Sequence, residues 1–162
     1  MKTLTKPTFT EEAFYWNSKI DHVIGLDEVG RGAFAGPIVA AGVIFKPDFK
    51  HDFLNYVNDS KLLNSGQREE LAEEIKHRSL FYEIQLIDVS YINKHGIGKA
   101  NTAVFRKVLN KLITNLSSSD FFVLIDGFHK RYLPGGIKKQ KGIIKGDQKS
   151  LSIASASIIA KV

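Results

Sequence analysis

Two apolar runs in this chain end in carboxylates. Val23-Ile24-Gly25-Leu26 leads into Asp27-Glu28, and Phe121-Phe122-Val123-Leu124-Ile125 leads into Asp126-Gly127. A short apolar run closed by turn residues reads as a buried strand. These carboxylates therefore stand at strand ends, where side chains reach a crevice rather than the core. If the strands are neighbours, three acidic groups converge on one sheet edge. Like charges that close cannot all stay ionised unless something neutralises them. A hard divalent cation does so, because Mg²⁺ and Mn²⁺ prefer carboxylate and water oxygen. The plainer reading of Asp126-Gly127 is a simple turn.

The first of these runs continues into Gly30-Arg31-Gly32 and Gly36-Pro37. Successive strand residues point to opposite faces, so Asp27 and Glu28 serving one site predicts a strand break at Glu28, supplied by Gly30 and Gly32. Two nucleotide motifs fail here. Gly30, Gly32 and Gly36 are one residue too long for the dinucleotide fingerprint. Gly25 and Gly30 fit a phosphate loop, but Arg31 and Gly32 stand where it needs lysine and a hydroxyl. What remains is a carboxylate pair beside a backbone that a ligand can approach closely, with one cation in reach.

The elements that must position these groups follow from the pattern. Residues 1–20 are a lead-in, with a helix or loop from Glu11 to Ser18 packing Phe14 and Trp16. Ile38–Phe45 is a second buried strand, joined to the first by a tight link that suggests a hairpin. Asn64 or Ser65 caps a helix over Gln67–Arg78. Phe81–Ile87 alternates as a strand, and Ile97–Leu116 carries a helical stripe of Ile97, Val104, Val108, Leu112 and Leu116. Leu133-Pro134-Gly135-Gly136 is a turn, Gly142–Gly146 a short strand, and Ser150–Val162 a helix whose small residues (Ala154, Ser155, Ala156, Ala160) allow close packing. Strands alternating with helices, with one hairpin, predict a layered α/β domain on a mixed sheet.

Composition sets bounds. At 162 residues the chain makes one domain and has no cysteine, which excludes disulfides, cysteine zinc sites and a thiol nucleophile. Its five histidines show no ligand spacing. Residues 1–10 lack the apolar core of a signal peptide, and no run approaches the ~20 apolar residues of a membrane span. Cytoplasm is the default. The net charge of +6 is concentrated: Lys130–Lys149 holds seven Lys/Arg against Asp147 alone, and the rest is balanced. A basic segment on a neutral body is either a solvated loop or the footprint of a polyanion, most commonly nucleic acid.

Taken together, the motifs closely resemble ribonuclease HII, a metal-dependent nuclease of the ribonuclease H-like group. The resemblance rests on Gly25-Leu26-Asp27-Glu28-Val29-Gly30-Arg31-Gly32, Gly36-Pro37, Asp59-Ser60-Lys61-Leu62-Leu63 and Asn93–Asn101. It continues through Leu124-Ile125-Asp126-Gly127, Lys145-Gly146-Asp147 and Ser152–Val162. It implies a ribonuclease H-like mixed sheet of about five strands flanked by helices, with residues 21–162 as the catalytic domain. It also implies hydrolysis of the RNA strand of RNA–DNA hybrids and at ribonucleotides embedded in duplex DNA. The products would be a 3′-hydroxyl and a 5′-phosphate, as in ribonucleotide excision repair. By position, Asp27, Glu28 and Asp126 would hold Mn²⁺ or Mg²⁺. Gly30, Arg31 and Gly32 would sense the ribose 2′-hydroxyl, and Lys61 and Lys145 would meet phosphates. A monomer acting on a nucleic-acid duplex, away from membranes, is the expected state.

The resemblance also carries expectations about what is absent. It places a fourth carboxylate, and a C-terminal helical segment with a junction-stacking tyrosine, beyond Val162, and it sets Asp147 aside as that fourth group. On that basis the chain reads as truncated, and the alternatives are a hybrid-binding fragment without turnover or a different ribonuclease H-like nuclease such as a resolvase. Gly96-Ile97-Gly98 resembles a phosphate-binding helix start but reads equally as a plain one. His129 near Asp126 is a proton-shuttle candidate or a surface histidine.

Overall fold

The computed structural model describes residues 5–30 and 36–162. His22–Val29 (β1) and Ile38–Ile44 (β2) pair antiparallel, with Leu26 opposite Gly42. Phe81–Ile87 (β3) adds antiparallel to β2, while Phe121–Asp126 (β4) and Gln140–Ile143 (β5) add in parallel beyond β1. The resulting order is β3-β2-β1-β4-β5, the mixed sheet that the pattern predicts.

Helices cover both faces of this sheet because β1 is buried on both. Ile24 and Leu26 point to one face, where they meet Val104, Phe105, Val108 and Leu112 of the helix Ile97–Thr114. On the other face Val23 packs with Ile153 of the C-terminal helix Leu151–Lys161. In chain order the helices are Thr10–Asn17 (α1), Ser65–Arg78 (α2), Val89–His95 (α3), Ile97–Thr114 (α4) and Leu151–Lys161 (α5). α2 is started by a reciprocal cap in which Asn64 accepts from the Gln67 N–H and Gln67 accepts from the Asn64 N–H. Such caps satisfy backbone donors that the first turn leaves without partners.

The approach of α5 to β1 is unusually close. A Cβ on Gly25 would lie 2.3 Å from the Ser152 carbonyl carbon and 2.5 Å from the Ile153 nitrogen. Residues 151–160 are all buried, which their small or apolar side chains permit. α1 locks the start of α5. The buried Glu12 carboxylate accepts from the Ser150 hydroxyl at 2.6 Å and the Ser152 N–H at 2.9 Å, and burial raises its pKa despite those donors.

The structure corrects several local expectations. β1 does not break at Glu28: it pairs with β2 through Glu28 and Val29, and the turn comes at Gly30, whose φ is +98°. Phe14 is 67% exposed, and α1 instead anchors through Tyr15, stacked on Phe122, and Trp16, set against Phe9. The short strand falls at Gln140–Ile143 rather than Gly142–Gly146, because residues 146–148 wind into a 3₁₀ turn. α3 was not foreseen: it is seven residues long, none of them buried, so no apolar stripe marks it.

The Gly25 contact gives the first test. A methyl group there cannot be relieved by a side-chain rotation, since the opposing atoms are backbone. Overpacking of this kind costs about 1–3 kcal/mol. Gly25→Ala should therefore lower the thermal midpoint by roughly 3–10 °C for a chain of this length. An unchanged melting curve by circular dichroism would show that α5 can move off the sheet.

Candidate active site

β1 and β4 are parallel neighbours with Leu26 opposite Ile125. The next residue on each strand is an aspartate, so Asp27 and Asp126 leave adjacent strand ends on the same face. Adjacent strands lie about 4.8 Å apart. The strand-end carboxylates predict three acidic groups together; the register sets Asp27 beside Asp126, while β1 stays paired through Glu28. Asp27 is buried, and its carboxyl pKa is pushed up to about 7. Burial is the main cause, opposed by a hydrogen bond from Ser157 and reinforced by the charges of Asp126 and Glu28. Glu28 follows on the opposite side of β1, half-buried, yet near enough for that influence.

A fourth carboxylate joins them. The Gly146 N–H donates to Asp126 Oδ1 at 2.7 Å, and this bond draws the turn Gly146–Gln148 against the end of β4. A Cβ on Gly146 would meet Ile153 Cδ1 at 2.7 Å, so that side chain would have to shift to admit one. The next residue, Asp147, is only 6% exposed. Its pKa is raised by burial, then by the charges of Asp126 and Asp59, against the opposing charges of Lys61 and Lys161. The resemblance sets Asp147 aside as the fourth group on motif alone; the structure brings it near Asp126 and Asp59.

Behind the carboxylates runs a polar chain that reasoning from sequence did not find. Lys161 donates to the Ser60 hydroxyl, Ser60 and Ser157 share a hydrogen bond of 2.9 Å, and Ser157 bonds Asp27. Asp59 lies beside this chain, within reach of the Lys161 charge. Burial favours its neutral form, but the Lys61 N–H, the Gln148 amide and the charges of Lys61 and Lys161 outweigh it and lower its pKa. Lys61 is therefore at the site, on the turn Ser60–Leu62 and exposed. Lys145 is exposed at the entry to the Asp147 turn with φ +55°. Gly30 marks the end of β1, and a Cβ on it would lie 2.4 Å from the Pro37 carbonyl oxygen. Arg31 and Gly32 lie outside the described residues. His129 is exposed beyond Gly127.

The fit of a divalent cation can be judged from this donor set. Oxygen-only ligands in a partly buried, mutually repelling group suit a hard cation. Raised carboxyl pKa values at Asp27 and Asp147 are what such a group shows when its charge is not neutralised. Among the described residues no three His, Asp or Glu side chains close on a common point in this conformation. The acidic group is open, with Asp27, Asp126 and Asp147 on its inner side.

A family profile described as ribonuclease HII matches residues 24–162. The chain belongs to the ribonuclease HII family. It is 46% identical over 141 residues to a ribonuclease HII of Clostridium perfringens, covering 87% of this chain and 49% of that protein. To a ribonuclease HII of Dehalococcoides mccartyi it is 37% identical over 156 residues, covering 96% of this chain and 71% of the relative. The chain thus spans about half the length of the first of these relatives. Among solved structures, ribonuclease H2 from Pyrococcus horikoshii superimposes with a TM-score of 0.68 at 25% identity, covering 86% of this chain and 70% of that one. The ribonuclease H-like sheet expected from the motifs is therefore the fold observed. A Bst-RNase HIII structure in complex with Mn²⁺ shares that fold with a TM-score of 0.68 at 24% identity, covering 88% of this chain and 51% of the other.

The buried Asp27 predicts a pH signature. Its folded pKa of about 7 lies above the unfolded value near 3.8, so the native state holds a proton that the unfolded chain has lost. That contribution to stability is full below about pH 4, is lost as pH rises through 7, and then levels off. Asp27→Asn should accordingly melt several degrees above the parent at pH 8, with the gap closing near pH 4. Melting curves at the two pH values check this; a gap of equal size at both would deny the burial penalty.

Proposed function

We propose that this chain is the catalytic body of a divalent-metal-dependent endonuclease. It hydrolyses the RNA strand of RNA–DNA hybrids and cuts at ribonucleotides embedded in duplex DNA. The observation that carries the reading is the parallel register that sets Asp27 beside Asp126, with Asp147 drawn in by the Gly146–Asp126 hydrogen bond. Asp27, Asp126 and Asp147, with Glu28 behind them, would hold Mn²⁺ or Mg²⁺. Bound there, the metal supplies a water of lowered pKa and stabilises the leaving oxygen. The net step joins water oxygen to phosphorus and breaks the bond from phosphorus to the 3′ oxygen, which takes the proton. A 3′-hydroxyl and a 5′-phosphate result.

The chain's own residues supply orientation. Ser157, bonded to Asp27 and braced by Ser60 and Lys161, limits rotation of the innermost carboxylate. Lys61, on the turn beside Asp59, and Lys145, at the entry to the Asp147 turn, are both exposed and would meet backbone phosphates. Gly30, with Arg31 and Gly32, is assigned the ribose 2′-hydroxyl, the group that separates RNA from DNA; a bare backbone at a positive φ favours close approach. The alternative of a binding module without turnover rested on a missing fourth carboxylate, and Asp147 beside Asp126 supports turnover instead.

The test is cleavage of a duplex carrying one ribonucleotide, in Mn²⁺ or Mg²⁺, with end-group analysis of the products. Asp27→Asn and Asp126→Asn should each slow cleavage roughly a hundredfold or more, since metal charge stabilisation is worth several kcal/mol. Asp147→Asn should fall in the same range. Full activity in Asp27→Asn would refute the assignment, and full activity in Asp147→Asn alone would remove that residue from the site.

A further inference from the structure

On the sheet face away from α5, a groove of about 370 Å³ lies between α3, the first turns of α4 and the connection after β4. Three cations line it: Lys99 and Arg106 from α4, and Arg131 from the β4–β5 connection. Tyr91 and Tyr132 flank them, and no carboxylate is among the described lining residues. Arg106 is fixed in place, because its Nε donates to the Tyr132 carbonyl at 3.1 Å. Tyr132 is 80% exposed and holds a left-handed backbone, φ +63°. Nothing lies within 4 Å of the place a Cβ on Gly98 would occupy, so the floor is open to close approach.

The topology sets this groove at the edge that carries the carboxylates. α4 is followed by a short connection and then β4, so the helix runs back along the sheet and its N-terminus stands at the C-terminal end of β4. Asp126 ends that same strand. α4 is 18 residues long and begins at Gly96 without a side-chain cap, so its first amides face outward and add positive potential. The groove and the acidic group therefore share one end of the sheet and lie on opposite faces of it. A duplex carries a phosphate backbone on each strand, so a basic groove at the same edge can take the strand that the carboxylates do not.

We propose that Lys99, Arg106 and Arg131 form a second nucleic-acid contact that holds the phosphate backbone of the uncut strand while the other strand lies on the carboxylates. This rests on the nuclease reading above and extends it from one strand to the duplex. It also gives the basic segment around Arg131 a defined counterpart.

The experiment measures binding of a ribonucleotide-bearing duplex by fluorescence anisotropy across salt concentrations, with chelator present so that no cleavage intervenes. Each phosphate contact contributes about 0.9 to the slope of log affinity against log salt. Lys99→Ala/Arg131→Ala should lower that slope by about two and weaken binding roughly tenfold or more at moderate salt. Lys111→Ala, on the same helix but ~18 Å farther along, should change the slope little. Methylphosphonates placed in the uncut strand should erase the difference between parent and double variant, whereas the same groups in the cut strand should not. An unchanged slope in the double variant, an equal effect from Lys111→Ala, or erasure only from the cut strand would each overturn the inference while cleavage by the parent upheld the nuclease reading. A parent chain that neither binds nor cleaves the duplex would overturn both.

Discussion

The carboxylate of Asp27 sits where its own charge is least welcome: buried under α5, beside Asp126 and near Glu28. The rest of the molecule is arranged to keep it there. Gly25, two residues earlier on the same face of β1, lets the backbone of α5 come within contact distance. That contact brings Ser157 over the aspartate. Folding against this repulsion is affordable because the surrounding strands and helices bury two apolar layers, one under α4 and one under α2 and α5. A stability penalty at a functional group, offset by packing elsewhere, is the usual form of a preorganised site.

Parallel strand ends do the assembly. β1, β4 and β5 run in the same direction, so their C-terminal ends and the segments that follow them lie at one edge. β1 delivers Asp27, β4 delivers Asp126, and the segment after β5 turns through Gly146 to deliver Asp147. The Gly146 N–H on Asp126 joins the second delivery to the third. Lys161, Ser60 and Ser157 then connect the far end of α5 and the turn at Ser60–Leu62 to the first. The site thus depends on segments from both halves of the chain, and its geometry fails if α5 shifts.

The same edge has a second face. α4 and the connection after β4 bring cations there, with no carboxylate among the described lining residues, while the acidic group faces α5. One sheet edge with an acidic side and a basic side can address both strands of a duplex, provided that a cation neutralises the acidic side.

Much of this was legible from residue order. Apolar runs ending in Asp27 and Asp126 announced strand ends, the stripe through Val104, Val108 and Leu112 announced α4, and Asn64 announced the start of α2. These are local signals: period, cap and turn residues act within a few positions of the chain. Asp147 and the Lys161–Ser60–Ser157 chain carried no such signal, because their meaning lies in contacts spanning 20 and 101 residues. Nor could periodicity show α3, which buries nothing, or that Glu28 stays in the strand. By itself, the sequence determined the family, the sheet's elements and two of the carboxylate positions, since each is written in short-range pattern. Only the tertiary structure decided which groups share the site and which face each serves, because burial and strand register exist only once distant segments are packed.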